Sequence, residues 1–199
     1  MKRFYLSVLF LCSFGSLFAG GPSFAFCDYS QGKVFIQENG EIVWEHKAPD
    51  SNDIWVLPNK NILFTAGKEV LEVSRKNDTI FHYTSESNIF ACQRLKNGNT
   101  FIGECDNGRL LEVSPDGSIV KDVSILPFGV KTGGHAFMRN ARCLDNGHYL
   151  VAHYGGKSVV EYDENGKAVW NIPISGGAHS VIRLPSGNTL VAVTDKDNN

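Results

Sequence analysis

The sequence predicts an all-β chain folded as a β-propeller of four-stranded antiparallel blades. Two interleaved series of turns predict it. One runs through LPNKN, LKNGN, LDNGH and LPSGN, placing Lys60, Gly98, Gly147 and Gly187 at steps of 38, 49 and 40. The other runs through ENGEIVW, KNDTIF, PDGSIV and ENGKAVW, placing Gly40, Asp78, Gly117 and Gly166 at steps of 38, 39 and 49. Together they define a repeat of about 39 residues with ten extra residues in one copy. The third observation is negative: no segment sustains an apolar period of 3.6 residues.

The elements follow in chain order. Lys2 and Arg3, the apolar run Phe4 to Phe18 and the small residues Ala19–Gly21 read as a secretory signal peptide over 1–20. A fifteen-residue helix would reach only about 22 Å, short of a bilayer's ~30 Å core. The expectation is export to a periplasmic or extracellular space, with no stable membrane span after cleavage. A partial first blade occupies 24–47 (strands 24–28, 33–37 and 41–45). Complete blades run about 52–84, 88–124 and 135–172, and a partial last blade covers 179–199 (strands 179–184 and 189–193). Asn-Gly and Asp-Gly between β-formers are the turn signals, read as tight hairpins with both central residues at φ > 0. Leu71/Val73, Leu111/Val113 and Val160/Tyr162 alternate as half-buried strands do, and Trp44, Phe81 and Trp170 read as packing between blades.

A lone four-stranded sheet cannot cover both of its faces, so neighbouring units must stack around a ring. Three full and two partial blades make that ring incomplete. Bare edges are avoided in soluble proteins, so the expectation is that Asn199 is not the natural end. The rival is a closed four-bladed ring in which 179–184 closes the first blade.

Composition narrows the function. The formal charge is −2, without the clustered Lys and Arg of a nucleic-acid surface. Cys27, Cys92, Cys105 and Cys143 have no C-x-x-C spacing, so no zinc motif is present and buried free thiols are the expected state. The sequon Asn77-Asp78-Thr79 would matter only in a eukaryotic secretory route.

The segments GKVFIQENGEIVWE, GRLLEVSPDGSIVKD and KSVVEYDENGKAVWN, with RLKNGNTFIG and HSVIRLPSGNTLVA, resemble the repeats of quinoprotein (PQQ-like) β-propellers over about 24–199. Dehydrogenases of that group imply bound PQQ, a calcium-like divalent metal ion and an adjacent cysteine pair. There is no Cys-Cys dipeptide here and no acidic cluster, so no cofactor and no metal are assigned. The Trp-Asp dipeptide of WD40 blades is absent too. A second resemblance is to arylsulfotransferase-type propellers, in which a His just before an LPNGN-type run accepts a sulfuryl group. His179, in GAHSVIRLPSGNTL, occupies that place, but Ser180 follows it and no acidic partner is evident.

Propeller geometry itself locates a site. Eight and seven positions before each first-series turn residue stand Asn52/Asp53, Phe90/Ala91, Arg139/Asn140 and His179/Ser180. These are inner-strand positions converging on one rim of the channel. The second-strand ends Glu104–Asp106 and His153–Tyr154 reach the same rim. So does the inserted loop in SILPFGVKTGGHAFMRNA, which brings Lys131 and His135. The expected ligand-binding residues are Asn52, Asp53, Phe90, Lys131, Arg139, Asn140, His153 and Tyr154. His179 and His135 are the catalytic candidates if chemistry occurs. His135, His153 and His179 could together hold a metal, but their separate loops lack ligand spacing. Arg139, Arg142 and Lys131 suit a small anionic molecule; another protein is the alternative partner. The expectation is a non-catalytic binding module, with a sulfotransferase-, lactonase- or quinoprotein-type enzyme as the alternative.

Overall fold

The computed structural model describes residues 21–194 apart from 128 and 130. The expected signal peptide and the last residues of the final partial blade lie outside the described residues. Among the described residues every regular element is a β-strand, and the strands form five antiparallel sheets. The first holds β1 (Phe24–Asp28), β2 (Lys33–Glu38) and β3 (Glu41–Lys47). The second holds β4 (Ile54–Val56), β5 (Ile62–Ala66), β6 (Glu69–Val73) and β7 (Thr79–Thr84). The third holds β8 (Ile89–Arg94), β9 (Thr100–Glu104), β10 (Arg109–Val113) and β11 (Ile119–Ser124). The fourth holds β12 (Asn140–Cys143), β13 (Tyr149–His153), β14 (Ser158–Tyr162) and β15 (Ala168–Pro173), and the fifth β16 (Gly177–Arg183) and β17 (Thr189–Thr194).

These sheets are propeller blades, each a meander with β4, β8, β12 or β16 innermost. The ring is open. β1 packs on β4 as β5 packs on β8, so β1 is a second strand, and among the described residues no strand lies inside it. The four-bladed closure does not form, because β16 pairs with β17 and not with β1.

The turns differ in one respect from the sequence reading. Only Asn39–Gly40 places both central residues in the left-handed region, at φ 54° and 89°. The other repeated turns are three-residue loops in which only the third residue is left-handed. Leu95, for instance, donates its N–H to Asn99 O at 2.8 Å, Gly98 donates to Leu95 O at 3.0 Å, and Gly98 has φ 89°. In KNDTIF that place belongs to Asn77 (φ 67°), not Asp78, and in LPNKN to Lys60 (φ 69°).

Apolar layers between sheets hold the blades together. Leu63, Val70 and Phe81 meet Ile89, Ile102 and Leu111 across the second and third sheets, all nearly water-free. Phe101 and Leu110 meet Tyr149, Val151 and Val160 across the next junction. Burying each such side chain contributes about 1.5–3 kcal/mol. A polar latch repeats beside two of these layers. Glu72 on β6 accepts from Asn61 of its own blade (2.7 Å) and from Arg94 of the next (2.6 Å), and Arg94 lies 5.2 Å from the Phe81 ring. Glu161 on β14 likewise meets His148 of its own blade (2.8 Å) and Arg183 of the next (2.7 Å), and Arg183 lies 5.4 Å from the Trp170 ring. Trp170 nevertheless stays 38% exposed, and among the described residues the next sheet has only two strands.

Candidate functional site

The four residues eight places before the turn come together. Arg139, just ahead of β12, lies over the Phe90 ring with its guanidinium carbon 4.4 Å from the centroid. Its Nη2 is 3.5 Å from Asn52 Oδ1, across 87 residues of sequence, and its Nη1 is 3.5 Å from His135 Nε2. His179 on β16 meets Tyr154 edge-to-face at 5.0 Å, and His135 meets Phe90 likewise at 5.2 Å. His135, Ala136, Arg139, Tyr154 and His179 line a cavity of about 230 Å³ at the rim. The blade register causes this convergence, since equivalent inner-strand positions face one axis.

Arg139 is the permanent charge of this cavity. Its two side-chain contacts are long for hydrogen bonds, and among the described residues no carboxylate pairs with it. Stacking on Phe90 fixes the guanidinium while its N–H edge stays available. Burial, and then the charge of Arg139, pull His179 below the ordinary imidazole value, which favours its neutral ring.

The inserted loop is fastened from beneath. Three consecutive carbonyls, of His135, Ala136 and Phe137, are each engaged. The Cys105 thiol reaches His135 O at 3.0 Å, Gly155 N–H donates to Ala136 O at 2.9 Å, and His153 Nδ1 lies 2.8 Å from Phe137 O. Burial pushes the Cys105 thiol up to about 11, so it keeps its proton and remains a donor. Arg139 N–H then donates to Ala152 O at 2.9 Å. His135 and Arg139 thus sit on a backbone tied to two neighbouring blades.

Other expected site residues lie elsewhere. Asp53 points beneath the rim, where Arg142 grips it bidentately at 2.6 and 2.9 Å and Cys92 N–H donates to it at 3.0 Å. Burial pushes the Asp53 carboxyl up and Arg142 draws it back down. Both groups are occupied with each other, tying the second blade to the fourth. The buried Asn140 carboxamide meets the Val181 backbone at 3.3 Å, the same bond from blade to next blade that Asp53 makes to Cys92. His153 is 5% exposed, with its Nε2 2.8 Å from Tyr162 Oη, so both ring nitrogens are engaged internally. Burial holds it below the ordinary imidazole value. Lys131 is exposed and does not line the rim cavity.

Among the described residues no three His, Cys, Asp or Glu side chains are placed to share a metal ion, and all four cysteines are free thiols. The adjacent cysteine pair that the quinoprotein resemblance implies is not among these four. Sequence reasoning brought Cys105 to the rim within Glu104–Asp106 but not its hold on the loop, and it missed Ala136, which lines the cavity, and Gly155, which also fastens the loop. Their roles arise from backbone contacts that residue type does not advertise.

No protein-family model matches the sequence, and no curated protein does. Solved structures do. A Bacteroides caccae protein of unknown function is 23% identical, with a TM-score of 0.75 over 85% of this chain and 64% of its own. Virginiamycin B lyase from Staphylococcus aureus is 16% identical, with a TM-score of 0.60 over 87% of this chain and 64% of its own. The WD40 propeller domain of Doa1 is 15% identical, with a TM-score of 0.64 over 81% of this chain and 54% of its own. The likeness is one of fold, the β-propeller. The chain spans less than two thirds of the length of each.

Proposed function

We propose that this chain is an exported β-propeller module that binds a small anionic molecule in the rim cavity. The observation that carries this reading is the convergence of Asn52, Phe90, Arg139, Tyr154 and His179 from four sheets, with His135 from the inserted loop. Arg139 there has no carboxylate partner among the described residues. Concave sites with a few convergent polar groups are where ligands bind, and a guanidinium held open-handed favours an anion. Export rests on the leader-like residues 1–20 alone. The test is a small-molecule screen of the full chain by two-dimensional NMR, following the His135, His179 and Tyr154 side chains. Hits that shift these resonances and are lost in Tyr154→Ala support the reading. Hits that bind elsewhere, or no hits of any class, refute it.

A second reading is an enzyme acting through the rim histidines. What supports it is the neutral His179 ring beside a fixed cation, a pairing suited to a general base next to an oxyanion. Virginiamycin B lyase shows that this fold also houses lyases. Turnover of lactones or aryl sulfates that vanishes in His179→Ala would establish it, and none with the unaltered chain would dismiss it.

A further inference from the structure

We propose that the rim cavity recognises a carboxylate carried on a flat apolar body, a small aromatic or unsaturated monocarboxylic acid, with its two oxygens on the N–H edge of Arg139. The inference rests on the reading of the rim as an anion site and assigns the class of anion.

Charge comes first. Among the described residues Arg139 is the one Lys or Arg lining the cavity; Lys131 lies outside it, and Arg142 is spent on Asp53. Burial and the neighbouring Arg139 both disfavour a charge on His179. A single permanent cation neutralises a monoanion and leaves a dianion such as a phosphate monoester half-compensated in a partly dehydrated cleft. Shape comes second. A guanidinium presents parallel N–H donors that match a planar carboxylate two-for-two. Stacking on Phe90 at 4.4 Å holds this fork in place before any ligand arrives, and the long 3.5 Å contacts to His135 and Asn52 are readily exchanged for shorter ones.

The walls set the rest of the ligand. His135, Ala136, Tyr154 and the ring of His179 are the remaining lining, and Tyr154 and His179 already pack edge-to-face. Aromatic rings favour such tilted contacts with a further ring. About 230 Å³ admits one ring and its acid group and little more.

The experiment titrates the full chain with benzoate, cinnamate, benzamide and phenyl phosphate, read by the Tyr154 and His179 resonances. The expected order is carboxylates first, with benzamide and phenyl phosphate weaker by about tenfold or more. Arg139→Gln is expected to abolish the difference between benzoate and benzamide. Arg139→Lys, which keeps the charge and loses the fork, is expected to weaken benzoate about fivefold or more. Unchanged melting temperatures in both variants show that folding is intact. Equal affinity for benzoate and benzamide, tighter phenyl phosphate, or unchanged benzoate affinity in Arg139→Lys would overturn the carboxylate assignment while leaving the anion or ligand site standing. Failure of every molecule, of any class, to shift the rim resonances would overturn both readings.

Discussion

Replacing Arg142 with Met tests the polar tie beneath the rim. Arg142 and Asp53 make two hydrogen bonds, at 2.6 and 2.9 Å, and Asp53 is only 7% exposed. Two charges about 4 Å apart attract by about 4 kcal/mol at an effective dielectric of 20. Removing one partner of such a pair costs about 3–5 kcal/mol, because the other charge stays buried. Cys92 N–H would be the remaining donor to Asp53. For a domain of this size the loss is a fall in Tm of about 6–20 °C. The pH dependence identifies the cause. Burial already raises the Asp53 carboxyl, and without Arg142 it rises further. An acid whose folded pKa exceeds its unfolded value binds its proton more tightly when folded. The penalty is therefore absent below the unfolded value of about 3.9 and grows as pH climbs through the folded one. Calorimetry of the parent and Arg142→Met should show a small gap near pH 4 and a wide one near pH 8. The double replacement Asp53→Asn with Arg142→Met should recover most of the loss. A gap below about 2 °C at pH 8, or one that ignores pH, would refute the reasoning.

Three further outcomes follow from the geometry. Gly177→Ala would put a methyl group inside the Tyr154 ring; Tyr154 must swing away, and small-molecule capture at the rim should fall about tenfold or more while Tm changes little, as titration and melting together would show. His153→Phe should lower stability by about 1–3 kcal/mol, since Phe137 O and Tyr162 Oη lose their partner. Because burial lowers the folded pKa of His153, its contribution is present above about pH 6.5 and lost as pH falls through the folded value; denaturant melts of the variant should show a shallower loss on acidification. Lys60→Gly relieves a left-handed non-glycine residue (φ 69°) and should raise Tm by about 2–4 °C; no change or a fall would mean the turn carries no strain.

The fold was legible because the turn signals recur. Gly98, Gly147 and Gly187 stand where a left-handed residue is required, and their recurrence marks the turns that join β8 to β9, β12 to β13 and β16 to β17. A count back from the repeated turns brings Asn52, Phe90, Arg139 and His179 to one spot, since it depends on strand register alone. One residue later the rule loses its meaning. Asp53 and Asn140 turn to the backbone of the next inner strand, because a strand alternates its faces. His153 has the residue type of a site group, but Tyr162 and Phe137 claim both its nitrogens, and neither contact is visible in spacing. Nor could composition show that Arg142 answers Asp53 across 89 residues.

The triple fastening of the 135–137 carbonyls bears on kinetics. The 135–137 segment, already secured to Cys105, Gly155 and His153, has no ordering step left to perform when a guest arrives. Association should then proceed in a single phase whose observed rate climbs linearly with guest concentration, without the plateau that signals a slow rearrangement. Differences in residence between guests would lie in how fast each departs.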